Sequence, residues 1–413
     1  MSDAGEPIDV LVVGAGAAGL LAAAFAAGDG RRVLLLERTR DGGRKILISG
    51  GGRCNILPST VRPEWFVTDS SPNSLRNILR SWPLAAQRRF FEDELQLPLV
   101  LEEESGKLFP ASNRAREVRD RLIAHARGAG AALRFNASVT RLVPSGEAWE
   151  VGLEGGEVLH SWTVVVATGG LSVPNTGSDG TGLRLLAMLG HAVHPTYPAL
   201  TPLTTNVPRW TALSGVSLEA ELTAPPETPR YSRPQGLLFT HRGFSGPAVL
   251  NISHVFSRPR TGPRPVILAR WGGLERGDWE RELNAGGRLQ VATVLRRELP
   301  ERLALALLEE AGVPADRTLA QLRREERASL VTALTAMPLP VTGDEGYRKA
   351  EVTGGGVALS DIDPVTMESR RTPGLFLCGE VLDAFGPIGG FNFHWAWATG
   401  RAAGLGARRR LTS

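Results

Sequence analysis

The sequence predicts an α/β protein whose parallel sheet is assembled from both ends of the chain. Three observations indicate this fold class. A strand, a glycine-rich turn and a helix follow one another between Asp9 and Ala27, a buried strand ends at residues 167–170, and another ends at residues 379–380. Short apolar runs that end in glycine are typical of strands buried on both faces. We therefore expect the last strand to join the sheet that the first one begins.

Length and composition are those of a large globular protein. The chain has 413 residues, enough for two or three domains, with 42% hydrophobic and 22% charged residues. The net charge is +4, and 47 basic residues are interleaved with 43 acids, the longest basic run being Arg408–Arg410 at the tail. We therefore expect a small-molecule substrate and no nucleic-acid partner, and we leave the oligomeric state open.

The N-terminus and the cysteines indicate a cytoplasmic protein. MSDAGEPIDV carries acids and no positive region, so it does not resemble a signal peptide. Val10–Ala27 has nearly the length of a membrane span, but its internal glycines favour a strand, a turn and a buried helix. Cys54 and Cys378 provide neither a disulfide framework nor zinc spacing. We expect no membrane and no metal.

The first motif is a glycine fingerprint that follows the first strand. Gly14 permits the tight turn, Gly16 lets the backbone approach a pyrophosphate, and Gly19 lets the helix pack closely on the sheet. Ala17 and Ala18 open that helix, whose free N–H groups and dipole favour an anion. The alternative is a glycine-rich turn without a ligand.

A carboxylate at the end of the second strand makes the fingerprint more specific. Glu37 would accept hydrogen bonds from both ribose hydroxyls and would repel a 2′-phosphate. Arg38 follows it and is a further candidate contact. The glycine fingerprint and Glu37 together predict a dinucleotide without a 2′-phosphate.

The second motif is the segment RKILISGGGRCN, residues 44–55. Three consecutive glycines cost backbone entropy, so we expect the main chain to approach a flat ring or a phosphate closely. The arginines and the lysine would add positive charge, although a flexible surface loop is the alternative. The predicted cofactor contacts are Arg44, Lys45, Gly51, Gly52, Arg53, Cys54 and Asn55.

The third motif is the strand end VVVATGG, residues 164–170. Small residues there would let the chain pass close to a dinucleotide, although alone the motif is only a strand end. The predicted contacts of this part of the chain are Val139, Ala167, Thr168 and Gly169.

The fourth motif repeats the order strand, acid, loop and helix near the end of the chain. Glu380 can hold a ribityl hydroxyl, and the helix near Gly390 can point its N–H groups at the N1–C2=O edge of an isoalloxazine. The predicted contacts here are Gly379, Glu380, Asp383, Gly389, Gly390, Phe391 and Asn392.

Together the four motifs predict FAD as the cofactor, because a nicotinamide domain does not need the last of them. The predicted fold is an FAD-binding Rossmann-like domain in two parts, of the glutathione-reductase type, interrupted by a β-rich domain, either a barrel or a sandwich, and a small helical subdomain. The predicted boundaries are 1–195 and 346–413 for the FAD domain, 196–275 and 339–345 for the β-rich domain, and 276–338 for the helical insert.

Six segments resemble a bacterial flavoprotein family that includes aminoacetone oxidase-like proteins and bile-acid enone reductases. They are KILISGGGRCN (45–55), GKLFPASNRAREV (106–118), ATGGLSVPNTGSDGTG (167–182), LLFTHRGFSGPAVL (237–250), EVTGGGV (351–357) and GEVLDAFGPIGGFNFHWAWATG (379–400). The resemblance covers nearly the whole chain and implies an FAD domain interrupted by a β-barrel-like domain and a helical insert. The last segment departs from the family, which more usually has a tyrosine after the glycines and a glutamine at His394.

Two histidines are the catalytic candidates. His394 would lie on the first turn of the helix that faces the flavin and could act as an acid or a base, or could simply pack between aromatic rings. The resemblance places His241 in a cleft-facing loop, as a substrate contact or a structural hydrogen bond. For Cys54 we favour a packing role over a redox role, since no second cysteine is near in sequence.

These predictions describe an FAD-dependent oxidoreductase. Hydride would pass through flavin N5 between NAD(P)H, or a reduced small molecule, and an enone-type acceptor or oxygen. NAD(P)H would bind only transiently, because the sequence has one dinucleotide fingerprint and FAD should fill it. The alternative is a flavin-binding redox sensor or a nucleic-acid-associated module without turnover.

Overall fold

The computed structural model describes residues 7–412 and divides the chain into two compact units. The first contains the residues up to 196 and those from 352 onward, and the second contains residues 197–351. The middle of the chain is therefore inserted into the first unit.

The first segment of the chain begins with a βαβ unit and ends on the strand that leads into the second unit. Its elements are β1 (Ile8–Val13), α1 (Ala17–Ala26), β2 (Val33–Leu36), α2 (Arg44–Ile48), β3 (Leu57–Pro58), α3 (Pro72–Ser81), α4 (Leu84–Arg89), β4 (Leu99–Glu102), β5 (Lys107–Pro110), α5 (Ala115–Gly128), β6 (Ala131–Arg134), β7 (Val139–Ser145), β8 (Ala148–Leu153), β9 (Val158–Val166), α6 (Thr181–Met188) and β10 (Val193–Ala199).

The second unit contains short strands followed by helices. Its elements are β11 (Leu203–Thr204), α7 (Pro208–Thr211), β12 (Ser217–Thr223), β13 (Gln235–Thr240), β14 (Gly243–Ser245), α8 (Pro247–Ser257), β15 (Leu268–Trp271), α9 (Arg276–Asn284), α10 (Val291–Leu295), α11 (Glu301–Glu310), α12 (Arg324–Thr335), β16 (Met337–Pro338) and β17 (Gly343–Asp344). The chain then returns to the first unit with β18 (Val352–Val357), β19 (Leu375–Leu377) and α13 (Phe391–Arg410).

The sheet of the first unit joins both ends of the chain, as the sequence predicts. Its order is β6-β2-β1-β9-β8-β7, and β19 pairs with β9. Val165 of β9 is in register with Val12 of β1 and with Phe376 of β19, and all three strands are parallel. β7 and β8 form an antiparallel hairpin that extends from β9. The strand that is last in sequence thus completes the sheet that β1 begins.

Helices α1 and α13 pack backbone against backbone. A Cβ atom at Gly400 would overlap the carbonyl oxygen of Ala18, and one at Gly404 would overlap that of Ala22. Small side chains on both helices permit this approach, and Ala18 and Ala22 are both buried. The C-terminal helix is therefore held directly on the helix of the glycine fingerprint.

Two local features differ from what the sequence pattern predicts. Residues 38–60 are rich in glycine and polar groups, which predicts a long loop, but the segment contains α2, where buried Ile46 fixes one helical turn through tertiary packing rather than through helix propensity. Residues 73–96 have the pattern of an amphipathic helix, but they are divided into α3, α4 and a π-helical turn, Phe90–Glu94. Pro83 causes the first break, because it supplies no N–H to a continuous helix.

The second unit has one hydrophobic core for its strands and its helices. Seven antiparallel strands follow the order β16-β15-β12-β13-β14-β11-β17. Trp271 of β15 is fully buried, stacks on Phe239 and donates from Nε1 to the carbonyl oxygen of Ala333 in α12. The helices of the segment 276–338 thus share the core of the strands, and a separate helical subdomain stays a prediction.

Two further findings concern residues 7–412. No helix in this range is long and apolar enough to cross a membrane. The same range contains no group of three or more His, Cys, Asp or Glu side chains placed to hold a metal ion.

Candidate cofactor site

The glycine fingerprint forms a tight turn that brings β1, α1 and the end of β9 together. Gly14 has a φ of +103°, which a residue with a Cβ rarely adopts, and its N–H donates to the carbonyl oxygen of Leu36 at 2.7 Å. A Cβ there would also lie 2.6 Å from the carbonyl oxygen of Ala167. A Cβ at Gly19 would overlap the carbonyl oxygen of Gly14. Both glycines are therefore required by the packing of this turn.

Gly16 differs from the other two glycines because it faces open space. No atom lies within 4 Å of the position that its Cβ would take. Gly16 is also the N-cap of α1, no side chain caps that helix, and its first turn has no acid. The free N–H groups of Ala17 and Ala18 and the positive end of the helix dipole therefore favour an anion here. An open approach and unfilled donors are what a pyrophosphate needs.

Glu37 is held at the end of β2 by hydrogen bonds to the backbone. Its Oε2 accepts from the N–H of Ala15 at 2.8 Å, and its Oε1 accepts from the N–H and the hydroxyl of Thr39 at 2.8 and 2.7 Å. The residue is 8% exposed. The carboxylate thus lies beside the fingerprint with its orientation fixed, as a ribose-binding acid requires.

The glycine loop between α2 and β3 contains three successive left-handed residues. Gly50, Gly51 and Gly52 have φ values of 54°, 67° and 85°, and a Cβ at Gly51 would have no atom within 4 Å. The Arg53 side chain points to β4 and β5, where it pairs with Glu102 at 3.0 Å and lies 4.0 Å from the ring centre of Phe109. The loop backbone is therefore open to a ligand, while the Arg53 side chain is engaged elsewhere.

Cys54 is a packing residue in this structure. The side chain is fully buried, and burial raises the pKa of its thiol to about 12. Because the thiolate is the reactive species, a thiol with this pKa is inert near neutral pH. The geometry therefore supports the packing role that we favoured over a redox role.

Lys45 and Glu380 form an ion pair that joins distant parts of the chain. The lysine Nζ lies 2.6 Å from Glu380 Oε2 and donates to the hydroxyl of Ser172 at 2.7 Å. Glu380 Oε1 accepts from Ser172 Oγ at 2.6 Å and from both the N–H and the hydroxyl of Thr353. Sequence reasoning missed Ser172 and Thr353, although both lie in segments that carry the family resemblance. The role of Glu380 toward a ribityl hydroxyl stays a prediction.

Asp383 fixes a neighbouring loop. The residue is 2% exposed, and its Oδ2 accepts from Thr68 Oγ1, the Asp69 N–H and Ser70 Oγ at 3.0, 2.8 and 2.8 Å. His194 Nε2 lies 3.7 Å from the same oxygen. A cofactor contact of Asp383 stays a prediction, and the structure shows an anchoring role.

The N-terminus of α13 meets the glycine loop at β3. A Cβ at Gly390 would lie 2.6 Å from the carbonyl carbon of Leu57. The Asn55 side-chain amide fits best when its nitrogen donates to the carbonyl oxygen of Leu57 at 3.3 Å and its oxygen accepts from the Gly390 N–H at 3.1 Å. Asn392 closes the preceding loop by hydrogen bonds to both backbone groups of Gly386. The second and fourth motifs are thus adjacent.

The remaining predicted contacts have different environments in the structure. Thr168 has a buried hydroxyl without a hydrogen-bond partner. Arg38 pairs with Asp179, and Arg44 donates from Nε to Asp41 Oδ1 at 2.6 Å. Ala167 and Gly169 follow β9, Gly379 begins a 3-10 helical turn, and Gly389 lies in the bend before α13. Val139 and Phe391 are buried at the first positions of β7 and α13. Their contacts with a cofactor stay predictions.

His394 is enclosed within the first unit. The residue is 1% exposed, and neither ring nitrogen has a hydrogen-bond partner. Burial lowers the pKa of its ring to about 4, so the imidazole is neutral near pH 7. His241, by contrast, is exposed in the turn between β13 and β14 of the second unit. Of the two catalytic candidates, His241 is the one that solvent can reach.

The burial of His394 predicts acid sensitivity. Between its ordinary pKa of 6.5 and the folded value of about 4, only the unfolded chain binds the proton, so the free energy of unfolding falls as the pH falls. We expect this side chain to account for a loss of about 2 kcal/mol between pH 7 and pH 5. Urea unfolding of His394→Gln should show a weaker pH dependence than the parent and than His241→Gln, a control at an exposed histidine. Equal pH dependence in all three proteins would contradict the assignment.

Comparison with known proteins gives consistent results along the chain. Residues 8–406 match the family described as HI0933-like protein Rossmann domain. The chain is 34% identical over 402 residues to a ribosomal RNA dihydrouridine synthase of Escherichia coli K12, which covers 95% of this chain and 96% of that protein. It is 29% identical over 421 residues to a 3-dehydro-bile acid delta(4,6)-reductase of Clostridium scindens, covering 97% of this chain and 98% of that one.

A solved structure supports the fold. The open conformation of a flavocytochrome c3 fumarate reductase has a TM-score of 0.50 at 16% sequence identity, and the match covers 99% of this chain and 79% of that chain. The predicted fold class and the predicted family are both confirmed. The chain belongs to the HI0933-like family, a family of flavin-dependent oxidoreductases with an FAD-binding Rossmann domain.

Proposed function

We propose that this protein is an FAD-dependent reductase that saturates a carbon–carbon double bond conjugated to a carbonyl, and that its substrate is a uridine in RNA. The observation that carries the proposal is the 34% identity, over 95% of the chain, to a ribosomal RNA dihydrouridine synthase. The proposal keeps the predicted enone-type acceptor and departs from our expectation of no nucleic-acid partner.

The chemistry of the two named relatives has a common element. The C5=C6 bond of uracil is conjugated to the C4 carbonyl, as the double bonds of an unsaturated 3-keto steroid are conjugated to theirs. Saturation adds a hydride to the carbon far from the carbonyl and a proton to the near one, so the substrate gains two electrons and two protons in all. NAD(P)H is the proposed source of the hydride, and solvent is the final source of the proton.

The residues of the first unit fit FAD. The N–H groups at the start of α1 and the open face of Gly16 would hold the pyrophosphate, and Glu37 would hold the adenosine ribose. Bound FAD would supply hydride transfer. The glycines of the segment 50–52 and the uncapped start of α13 would surround the flavin ring, where the helix dipole favours negative charge.

The proton donor is the open part of this assignment. His394 is too deeply buried to reach the uracil ring of an RNA substrate without a rearrangement of the first unit. His241 is exposed, so we keep it as the proposed substrate contact. Its replacement should lower kcat/KM with the RNA while flavin content stays unchanged.

The proposed function can be tested in two steps with purified, flavin-loaded protein. Under anaerobic conditions, NADH or NADPH should bleach the flavin absorbance, and adding an unmodified ribosomal RNA transcript should restore it. Nucleosides from that RNA should then contain dihydrouridine, detected by the mass of two added hydrogens. A protein that is reoxidised by an unsaturated 3-keto steroid but not by RNA would be a small-molecule enone reductase. If neither NADH nor NADPH reduced the flavin, the result would favour the alternative of a flavin-binding protein without turnover.

A further inference from the structure

The second unit contains a long segment without a single acid. Between Glu227 and Glu275 the chain has seven arginines and no aspartate or glutamate, although the whole protein carries nearly as many acids as bases. The arginines are Arg230, Arg233, Arg242, Arg258, Arg260, Arg264 and Arg270. Such a segment is a departure from the interleaved charges elsewhere in the chain.

The antiparallel sheet brings most of these arginines to one end. Thr223, the last residue of β12, pairs with Leu268, the first residue of β15. The segments 224–234 and 258–267, which adjoin those two residues, therefore leave the sheet at the same end. They carry Arg230, Arg233, Arg258, Arg260 and Arg264, here called the arginine cluster.

One carboxylate accompanies the arginine cluster within these two segments. Glu227 is bound by Arg260 through two hydrogen bonds, at 2.7 and 3.1 Å, which join the two segments. The ion pairs among residues 7–412 do not include Arg230, Arg233 or Arg264, and all three are exposed. By contrast, Arg270 in the neighbouring strand is paired with Glu221 at 2.5 Å. Arg230, Arg233 and Arg264 therefore present positive charge that no carboxylate of the described residues neutralises.

Aromatic rings hold two of these arginines. Arg233 lies 4.7 Å from the ring centre of Tyr231 and donates to its hydroxyl at 2.8 Å. Arg264 lies 4.4 Å from the ring centre of Phe256. A guanidinium held on a ring keeps free N–H donors at its edge, and its planar fork matches the geometry of a phosphate. Such donors lose less conformational entropy on binding than free side chains.

We infer that the arginine cluster binds the phosphate backbone of the RNA whose uridine is reduced. The inference rests on the proposed function for its choice of ligand. Positively charged surfaces that follow the backbone are typical of proteins that bind single-stranded nucleic acid, where the charge gives affinity. Binding through phosphates is independent of base identity, so this surface would orient the RNA rather than select the uridine.

The test compares two sets of three arginines in the flavin-loaded full-length protein. One variant is Arg230→Gln/Arg233→Gln/Arg264→Gln, and its control is Arg281→Gln/Arg288→Gln/Arg324→Gln, which removes the same charge from exposed positions of the same unit. Fluorescence anisotropy measures the affinity for a ribosomal RNA fragment between about 50 and 200 mM salt. We expect the cluster variant to bind roughly ten- to a hundredfold more weakly near physiological salt. Its plot of log K against log salt should be shallower by about two to three.

The outcomes separate this inference from the proposed function. Equal RNA affinity of the cluster variant and its control would overturn the inference even if the parent protein makes dihydrouridine. A parent protein that binds RNA without reducing it would refute the function, while the comparison of variants would still decide the role of the cluster. If the cluster variant lost binding to phosphatidylglycerol vesicles but bound RNA as tightly as the parent protein does, the inference would also be overturned. If the triple variant does not fold, the single variants Arg233→Gln and Arg264→Gln replace it.

Discussion

Glu37→Arg is expected to yield a colourless protein that does not retain FAD. In the structure the carboxylate accepts hydrogen bonds from the Ala15 N–H and from both donor groups of Thr39. The substitution removes the acceptor for a ribose and places a cation at the end of β2, where the residue is 8% exposed. Charged hydrogen bonds contribute about 1.5–3 kcal/mol each, so the affinity for FAD should fall by at least about a hundredfold.

The flavin released by denaturation, relative to protein, is the measurement. Glu37→Gln keeps an acceptor oxygen and should lose only part of the flavin, because its hydrogen bonds are neutral. Glu103→Arg makes the same charge change at an exposed position and should retain FAD fully. If Glu37→Arg purified yellow with a full complement of FAD, the ribose would not bind at Glu37.

Gly400→Ala/Gly404→Ala is expected to destabilise the first unit by about 2–6 kcal/mol. Alanine is the better helix former, so the same substitution in a free helix would stabilise it. Here each added Cβ overlaps a carbonyl oxygen of α1, at Ala18 and at Ala22. The two helices would have to separate, and the packing between them would be lost along their length.

Gly128→Ala is the matched control for the double variant. Gly128 is the last residue of α5, is exposed, and has no atom within 4 Å of its Cβ position. Urea unfolding should show an unchanged or slightly higher stability for this control. If the double variant were as stable as the control, the close packing of α1 and α13 would be refuted.

The sequence predicted best those features that rest on short-range rules. Gly14, Gly16 and Gly19 are recognisable because a turn, an approaching ligand and close helix packing each exclude a side chain at one fixed spacing. The return of the chain through β19 was predictable because a buried apolar run that ends in glycine has few other places in an α/β fold. Each of these two signals spans about a dozen residues or fewer, so interactions between residues close in sequence determine it.

The features that were missed depend on contacts between distant residues. Lys45 and Glu380 are 335 positions apart, and Ser172 joins them from a third segment. No local pattern indicates that Glu380 has protein partners for both oxygens, or that Asp383 anchors residues 68–70. The turn at α2 was missed for the same reason, since buried Ile46 and not helix propensity forms it. Asn55 and Gly390, though named separately, could not be paired before the fold was known.

The contact between α1 and α13 also sets an order of events during synthesis. About 365 residues separate the two helices, and at about 5–20 residues per second a ribosome needs on the order of twenty to seventy seconds to make them. During that interval the small-residue face of α1 has no partner, and β9 lacks β19 beside it. The dinucleotide cradle is therefore completed only after α13 has been synthesised, so cofactor loading follows the synthesis of α13. Until then the apolar stretch of α1 is a natural target for a chaperone.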